Sequence, residues 1–233
     1  MQPRGSPGGS EGGRRGHSQG HPHTLRQEEV LRSVGEYACS PGSRRSSPPI
    51  LAALAKPFLG LSPNAVTLAG LAVCTAGYMA LLAGHFAVFI AAVIASSFAD
   101  AIDGYIARAQ GRVTKLGAFL DSVSDRVEDV LLGAALLELQ LVEPREAVLL
   151  VAGFLLVSYT RSRGESLGVE MAGVGLAERG ERLALILLSL ILYACWVQAA
   201  RAVAMVLLAL TYATVLQRVF HAARALSNPA LNA

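Results

Sequence analysis

Apolar residues along this chain gather in blocks of about 20, the length a helix needs to cross a hydrocarbon layer of about 30 Å. Six such blocks predict spans at Asn64–Leu82, His85–Arg108, Leu116–Leu139, Ala147–Glu165, Arg182–Ala199 and Val203–Leu226. Helices from segments of this length satisfy their own backbone in lipid. Pro63 stands just before the first block, where a helix start favours it. Ile50–Leu59 is too short to span and predicts a helix lying along the membrane surface. The expected fold is an all-α polytopic membrane protein, six transmembrane helices preceded by an interfacial amphipathic helix. The expected organisation is a disordered or weakly structured tail over 1–43, the juxtamembrane helix over 44–60, a six-helix catalytic domain over 61–226 and a short tail over 227–233.

Composition agrees with that pattern. The chain is 53% hydrophobic, more than an ordinary soluble domain carries. The N-terminal stretch is rich in Gly, Ser, Pro and Arg, and His17, His21 and His23 in it read as part of a solvated tail. It lacks an apolar core segment, so no cleavable signal peptide is expected. Cys39, Cys74 and Cys195 are too widely spaced for a metal or disulfide framework. No basic run with interleaved aromatics appears, so no nucleic-acid partner is expected. Arginines cluster on one side of the predicted spans (Arg108, Arg112, Arg161, Arg163, Arg179, Arg182, Arg218, Arg224) and leave the other side with little beyond Arg145 and Arg201. The bias of positive loops to the cytoplasm puts both termini there, in the plasma membrane.

Against this apolar background stand four aspartates. An aspartate at the bilayer centre costs roughly 2.5–3.5 kcal/mol on insertion scales. Asp100 and Asp103 are three apart and share a helix face. Asp121 and Asp125 are four apart on the next span, a rise of about 6 Å. The connecting segment, Ala109 to Lys115, is short, so the two helices should run antiparallel as neighbours and bring the four carboxylates together. All-oxygen ligands suit Mg2+, with Mn2+ as the alternative. Two ions about 3.5–4 Å apart suit phosphoryl chemistry. Gly104, Ala107 and Gly117 keep the walls small, and Arg108 can pair with a phosphate oxygen. The bland alternative is a set of ion pairs with Arg108, Arg112 and Arg126, and a transporter reading would place such acids at mid-membrane rather than at helix ends. Asp129 reads as a structural partner for an arginine.

The run Asp100-x2-Asp103-Gly104-x2-Ala107-Arg108-x8-Gly117-x3-Asp121-x3-Asp125 resembles the signature of the CDP-alcohol phosphotransferase family at every defined position. The resemblance covers about Leu61 to Leu226. It implies displacement of CMP from a CDP-linked lipid by an alcohol. It implies that Asp100, Asp103, Asp121 and Asp125 hold two divalent ions and that Asp125 is also the base for the acceptor hydroxyl. Gly104, Arg108 and Thr114 would contact the CDP part, and Asn64, Ala65, Val66 and Thr67 would border the nucleotide. A homodimer is also implied.

A second polar cluster bears on the acceptor: Ser158-Tyr159-Thr160-Arg161-Ser162-Arg163, then Glu178-Arg179-Gly180-Glu181-Arg182. Arg161, Arg182 and Arg179, joined by Arg218, suit an acceptor that carries its own phosphate, with a helix N-terminus adding positive potential. The alternative is pairing with Glu165, Glu178 and Glu181. The pattern resembles the inositol-phosphate branch of the family, which would place Ser158, Arg161, Arg182 and Arg218 around inositol 1-phosphate. Bacterial members of that branch usually have lysine where Arg161 stands. Arginine there points to the archaeal relatives, which use CDP-archaeol, rather than to a bacterial-type enzyme using CDP-diacylglycerol. Glycerol 3-phosphate is the rival acceptor.

Overall fold

A computed structural model of the chain describes residues 53–227. The expectations for the tail over 1–43, for most of the juxtamembrane segment and for 228–233 lie outside these residues. Among the described residues the architecture is all-helical. A 3₁₀ turn, Lys56–Phe58, precedes six helices: α1 (Pro63–Leu82), α2 (Phe86–Ala109), α3 (Lys115–Glu138), α4 (Pro144–Ser166), α5 (Arg179–Tyr193) and α6 (Val197–Ser227).

Local chemistry sets most helix ends. Ser62 caps α1 by accepting from Ala65 N at 3.3 Å, with Pro63 as its first residue. Gly111 (φ +62°) stops α2, with Arg112 N closing back on Ala107 O at 2.9 Å. Thr114 then caps α3 through Gly117 N at 3.0 Å. At α4, Glu146 reaches back to Glu143 N at 2.7 Å, and Pro144 opens the helix.

One boundary departs from the sequence expectation. The fifth span was placed at Arg182–Ala199 and the sixth at Val203–Leu226, but α5 ends at Tyr193 and α6 begins at Val197. The turn between them has neither Gly nor Pro. It is closed by Cys195 N and Trp196 N, both donating to Leu192 O. It is braced by Ser189 Oγ, which donates to Ala200 O at 2.8 Å. Arg201, which looked like a loop residue, sits in α6 and pairs with Glu143.

Helix α1 packs on α2 and α3, α3 on α4, α4 on α6, and α5 on α6. Small residues let the backbones approach. A Cβ on Gly77 would meet Ala92 of α2 at 2.3 Å, and one on Gly133 would meet Val151 of α4 at 2.5 Å. The main core joins Phe89, Leu136, Leu150, Phe154, Ile186, Leu190 and Leu207. A smaller cluster, Ala55, Val66, Ile102 and Ile106, lies under the polar end of α2. Outward faces carry exposed Leu68, Met79, Val88, Ile94, Val148 and Val206, the pattern of a bundle surrounded by an apolar medium. By length and composition α1, α2 and α6 can cross a membrane. Helix α3 carries seven charged side chains from Lys115 to Glu138, and α5, at 15 residues, is about 22 Å long.

Candidate functional site

The site is built where α2 ends and α3 begins. Three-residue spacing on α2 and the short turn into α3 bring Asp100, Asp103 and Asp121 together, with one carboxylate oxygen from each within 4.8 Å of the others. Thr67 of α1 fixes Asp103 with its hydroxyl, which also lies 3.1 Å from Pro63 O. Asp103 is buried, and Asp100 and Asp121 are half-buried. Asp125 lies one turn past Asp121, on the wall of a cavity of about 10 Å³ shared with Asp100, Asp103, Ser96 and Glu128. That is about the space of one water-sized sphere.

Cations reach this cluster from two helices. Arg126 pairs with Asp125 at 3.3 Å. Arg179, at the start of α5, pairs with Asp100, with Glu128 at 2.9 Å and with Asp125 at 2.9 Å. Arg179 was grouped from sequence with the acceptor arginines; its guanidinium lies among the carboxylates instead. Glu128 is fixed from behind by the Ser96 hydroxyl. Oδ1 of Asp125 is buried and faces the Arg179 guanidinium at 2.9 Å. Asp100, Asp103, Asp121, Asp125 and Glu128 outnumber the two guanidiniums that reach them, and such an oxygen-rich, net-negative set fits a hard divalent cation.

The residues expected around the nucleotide gather beside this cluster. A Cβ on Gly117 would meet Asn64 Oδ1 at 2.9 Å and Thr114 Oγ1 at 3.1 Å, so glycine leaves room for both polar side chains at the start of α3. Arg108 is exposed and folds back over Gly104, its Nη1 3.3 Å from where a Cβ would be. Val66 is packed in the small apolar cluster and Ala65 is exposed. Thr67 contacts Asp103. Gln110, which sequence reasoning passed over, donates to Leu59 O and, at 3.3 Å, to Leu61 O, tying the segment before α1 to the end of α2.

Between α3 and α4 runs a groove of about 1010 Å³. Asp121, Asp125 and Arg126 line one wall, Ser158, Arg161 and Glu165 the other, and Phe119, Val123 and Leu155 give it an apolar flank. Arg161 pairs with Glu165 at 2.9 Å in exposed surroundings. Arg182 and Arg218 are buried, 3% and 2% exposed, and are not among the groove's lining residues. Arg218 donates to Val157 O at 2.6 Å and to Val174 O at 2.7 Å, and pairs with Glu178 at 3.4 Å. With Thr214, which accepts from Ala177 N at 2.9 Å, it straps the 167–178 loop to α6. Gly175 (φ +133°) passes so near Thr214 that a Cβ would come within 2.5 Å. This strap delivers Arg179 and Arg182 to the polar end. Phe154 and Ser96 carried no sequence signal, because each acts only through a partner on another helix.

An apolar helical bundle that opens a polar groove onto clustered carboxylates is the framework of a membrane-embedded transferase. The chain belongs to the CDP-alcohol phosphatidyltransferase family, whose family model matches residues 60–217, and it is a CDP-alcohol phosphotransferase. It is similar to the archaetidylinositol phosphate synthase of Aeropyrum pernix, 40% identical over 161 residues covering 69% of this chain and 82% of that protein. The fold is similar to the crystal structure of Mycobacterium tuberculosis phosphatidylinositol phosphate synthase with CDP-DAG bound (TM-score 0.66, 26% identity, 75% of this chain and 94% of that one). The same enzyme in complex with manganese and citrate matches with a TM-score of 0.63 and 26% identity, over 75% of this chain and 87% of that one.

Proposed function

We propose that this enzyme transfers the lipid-phosphate group of a CDP-lipid, CDP-archaeol, to a hydroxyl of inositol 1-phosphate and releases CMP. The observation that carries the reading is that Asp125 and Asp121, the latter a member of the Asp100–Asp103–Asp121 cluster, line the groove that Ser158 and Arg161 border. The family defines the donor chemistry. The similarity to archaetidylinositol phosphate synthase supports the acceptor and the lipid.

In this reading Asp100, Asp103, Asp121 and Asp125 hold two Mg2+ ions, for which Mn2+ can substitute, and these supply charge neutralisation on the diphosphate. Asn64, Ala65, Val66 and Thr67, with Gly104, Arg108 and Thr114, form the CDP subsite. Arg108, exposed and close to Gly104, pairs with a phosphate oxygen. The acceptor oxygen attacks the lipid-linked phosphorus, the bond from that phosphorus to the oxygen of CMP breaks, and CMP leaves with the bonding pair. Asp125 takes the acceptor proton, for which it must lie within hydrogen-bond reach of the hydroxyl. Ser158, Arg161 and Arg182 bind the acceptor phosphate, with Arg218 completing the basic surround. All six helices cross the membrane, α3 to α5 sheltered by their neighbours. The groove faces the cytoplasm across the plasma membrane, and the unit is a homodimer.

The test is CMP release from labelled CDP-archaeol and CDP-diacylglycerol by purified enzyme, with inositol 1-phosphate, glycerol 3-phosphate, serine or free inositol as acceptor. Turnover is expected with inositol 1-phosphate and loss of it with chelator. Preference for glycerol 3-phosphate, or equal use of free inositol, overturns the acceptor assignment.

A further inference from the structure

Arg182 and Arg218 are almost equally buried, yet they are used differently. Arg218 spends Nε on Val174 O and Nη1 on Val157 O. Arg182 makes one polar contact, from Nη2 to Asp129 Oδ2 at 3.0 Å. Its guanidinium stacks over the Phe154 ring, 5.0 Å from the centroid. Its Nε and Nη1 are buried and have no partner. Asp129 is itself buried and stands one turn beyond Asp125 on α3.

A purely structural buried ion pair is favourable only when its remaining donors are satisfied. Here the charge is matched by Asp129 and the ring is fixed by Phe154, while two donor positions are left over. That is the pattern of a guanidinium held ready for a further anion with several oxygens, such as a phosphate. The carboxylate that holds it comes from α3, the helix that also carries Asp121 and Asp125. The placement of Arg182 is therefore coupled to the helix that bears the reacting groups.

We propose that Asp129 is the positioning residue for Arg182. It fixes the guanidinium on Phe154 so that Nε and Nη1 are presented to the phosphate of the acceptor, and it thereby sets acceptor selectivity without touching substrate. This rests on the reading of Arg182 as a phosphate ligand given above.

The test is steady-state CMP release by the full-length enzyme, with CDP-lipid saturating and inositol 1-phosphate varied. Asp129→Asn keeps the shape and removes the charge that orients Arg182. The expected result is an acceptor KM raised about tenfold with kcat and donor KM within about twofold. Asp129→Glu, which restores the charge, should bring the acceptor KM back to within about threefold of the parent. Because Asp129→Asn strands a buried cation and can cost folding, the double variant Asp129→Asn/Arg182→Gln is compared with Arg182→Gln alone. If Asp129 acts through Arg182, the second substitution adds nothing to the acceptor KM. An unchanged acceptor KM in Asp129→Asn, or a further multiplicative rise in the double variant, overturns the proposal. An unchanged acceptor KM in Arg182→Gln alone instead overturns the phosphate-ligand reading beneath it, so the two failures are separate.

Discussion

The carboxylate cluster at the α2–α3 turn and the arginine-bearing ends of α4, α5 and α6 solve the same problem in opposite ways. At the first, anions are in excess. Asp100, Asp103 and Asp121 crowd within 4.8 Å, and the cations that reach the neighbourhood are Arg179 and Arg126. At the second, three arginines are matched one to one with carboxylates: Arg161 with Glu165, Arg182 with Asp129, Arg218 with Glu178. A surplus of buried negative charge calls for an added cation, because each uncompensated carboxylate in an apolar bundle is costly. A charge-matched region is complete as folded and takes an anion only through donors left over. Substitutions in the first region should therefore act on turnover and metal affinity, and those in the second on acceptor binding or on stability.

The sharpest way to break that contrast is to neutralise one member of the cluster. Asp121→Asn should lower kcat by about a thousandfold or more, and weaken Mn2+ binding read by electron paramagnetic resonance. Asp125→Asn should abolish CMP release while CDP-lipid binding, measured by filter retention, persists. Arg161→Gln, in the charge-matched region, should raise acceptor KM about tenfold and leave kcat nearly intact. Substantial turnover in Asp125→Asn would remove the base role from that residue, and a kcat collapse in Arg161→Gln would erase the distinction between the regions.

How far the sequence reaches follows the same division. The carboxylates were legible because spacing of three and four within one helix already implies a shared face, and the short link from Ala109 to Lys115 makes the two helices neighbours. The partners of the arginines were not. Arg179 stands three residues from Arg182, yet its guanidinium lies among the aspartates while that of Arg182 lies against Phe154 and Asp129. Nothing local distinguishes the two; the strap that seats α5, tied by Thr214 and Arg218, does. The turn at 194–196 was also hidden, since it has no glycine or proline and Arg201 imitates a loop boundary.

Stability predictions come next in size. Arg218→Met removes the donors to Val157 O and Val174 O and the cation that pairs with Glu178, and should cost about 3 kcal/mol or more. Limited proteolysis should then cut within 167–178 before any helix. Gly77→Val forces a side chain into the 2.3 Å gap to Ala92 and should cost about 1–3 kcal/mol by wedging α1 from α2. Thermal unfolding in detergent reads both. A cut in the helices first, or no shift for Gly77→Val, would show that the tight contacts are not what holds these segments.

The smallest effect separates burial from mere pairing. Arg201 lies 3.2 Å from Glu143, at the far end of α4 and α6 from the aspartates, much as Arg182 lies 3.0 Å from Asp129. By distance the two pairs are nearly equal. By surroundings they are not: the side chains of Arg201 and Glu143 are 46% and 65% exposed, those of Arg182 and Asp129 3% and 8%. In an exposed pair, water competes for both charges and ordering two long side chains offsets the attraction, which leaves about 0–1 kcal/mol. Arg201→Ala should therefore shift the unfolding midpoint by no more than a few degrees and leave acceptor and donor KM unchanged. It should do so with a dependence on salt that Arg182 variants lack. A large loss in Arg201→Ala would mean that this end of the bundle is a coupled part of the catalytic framework, and that pairing distance rather than burial governs these arginines.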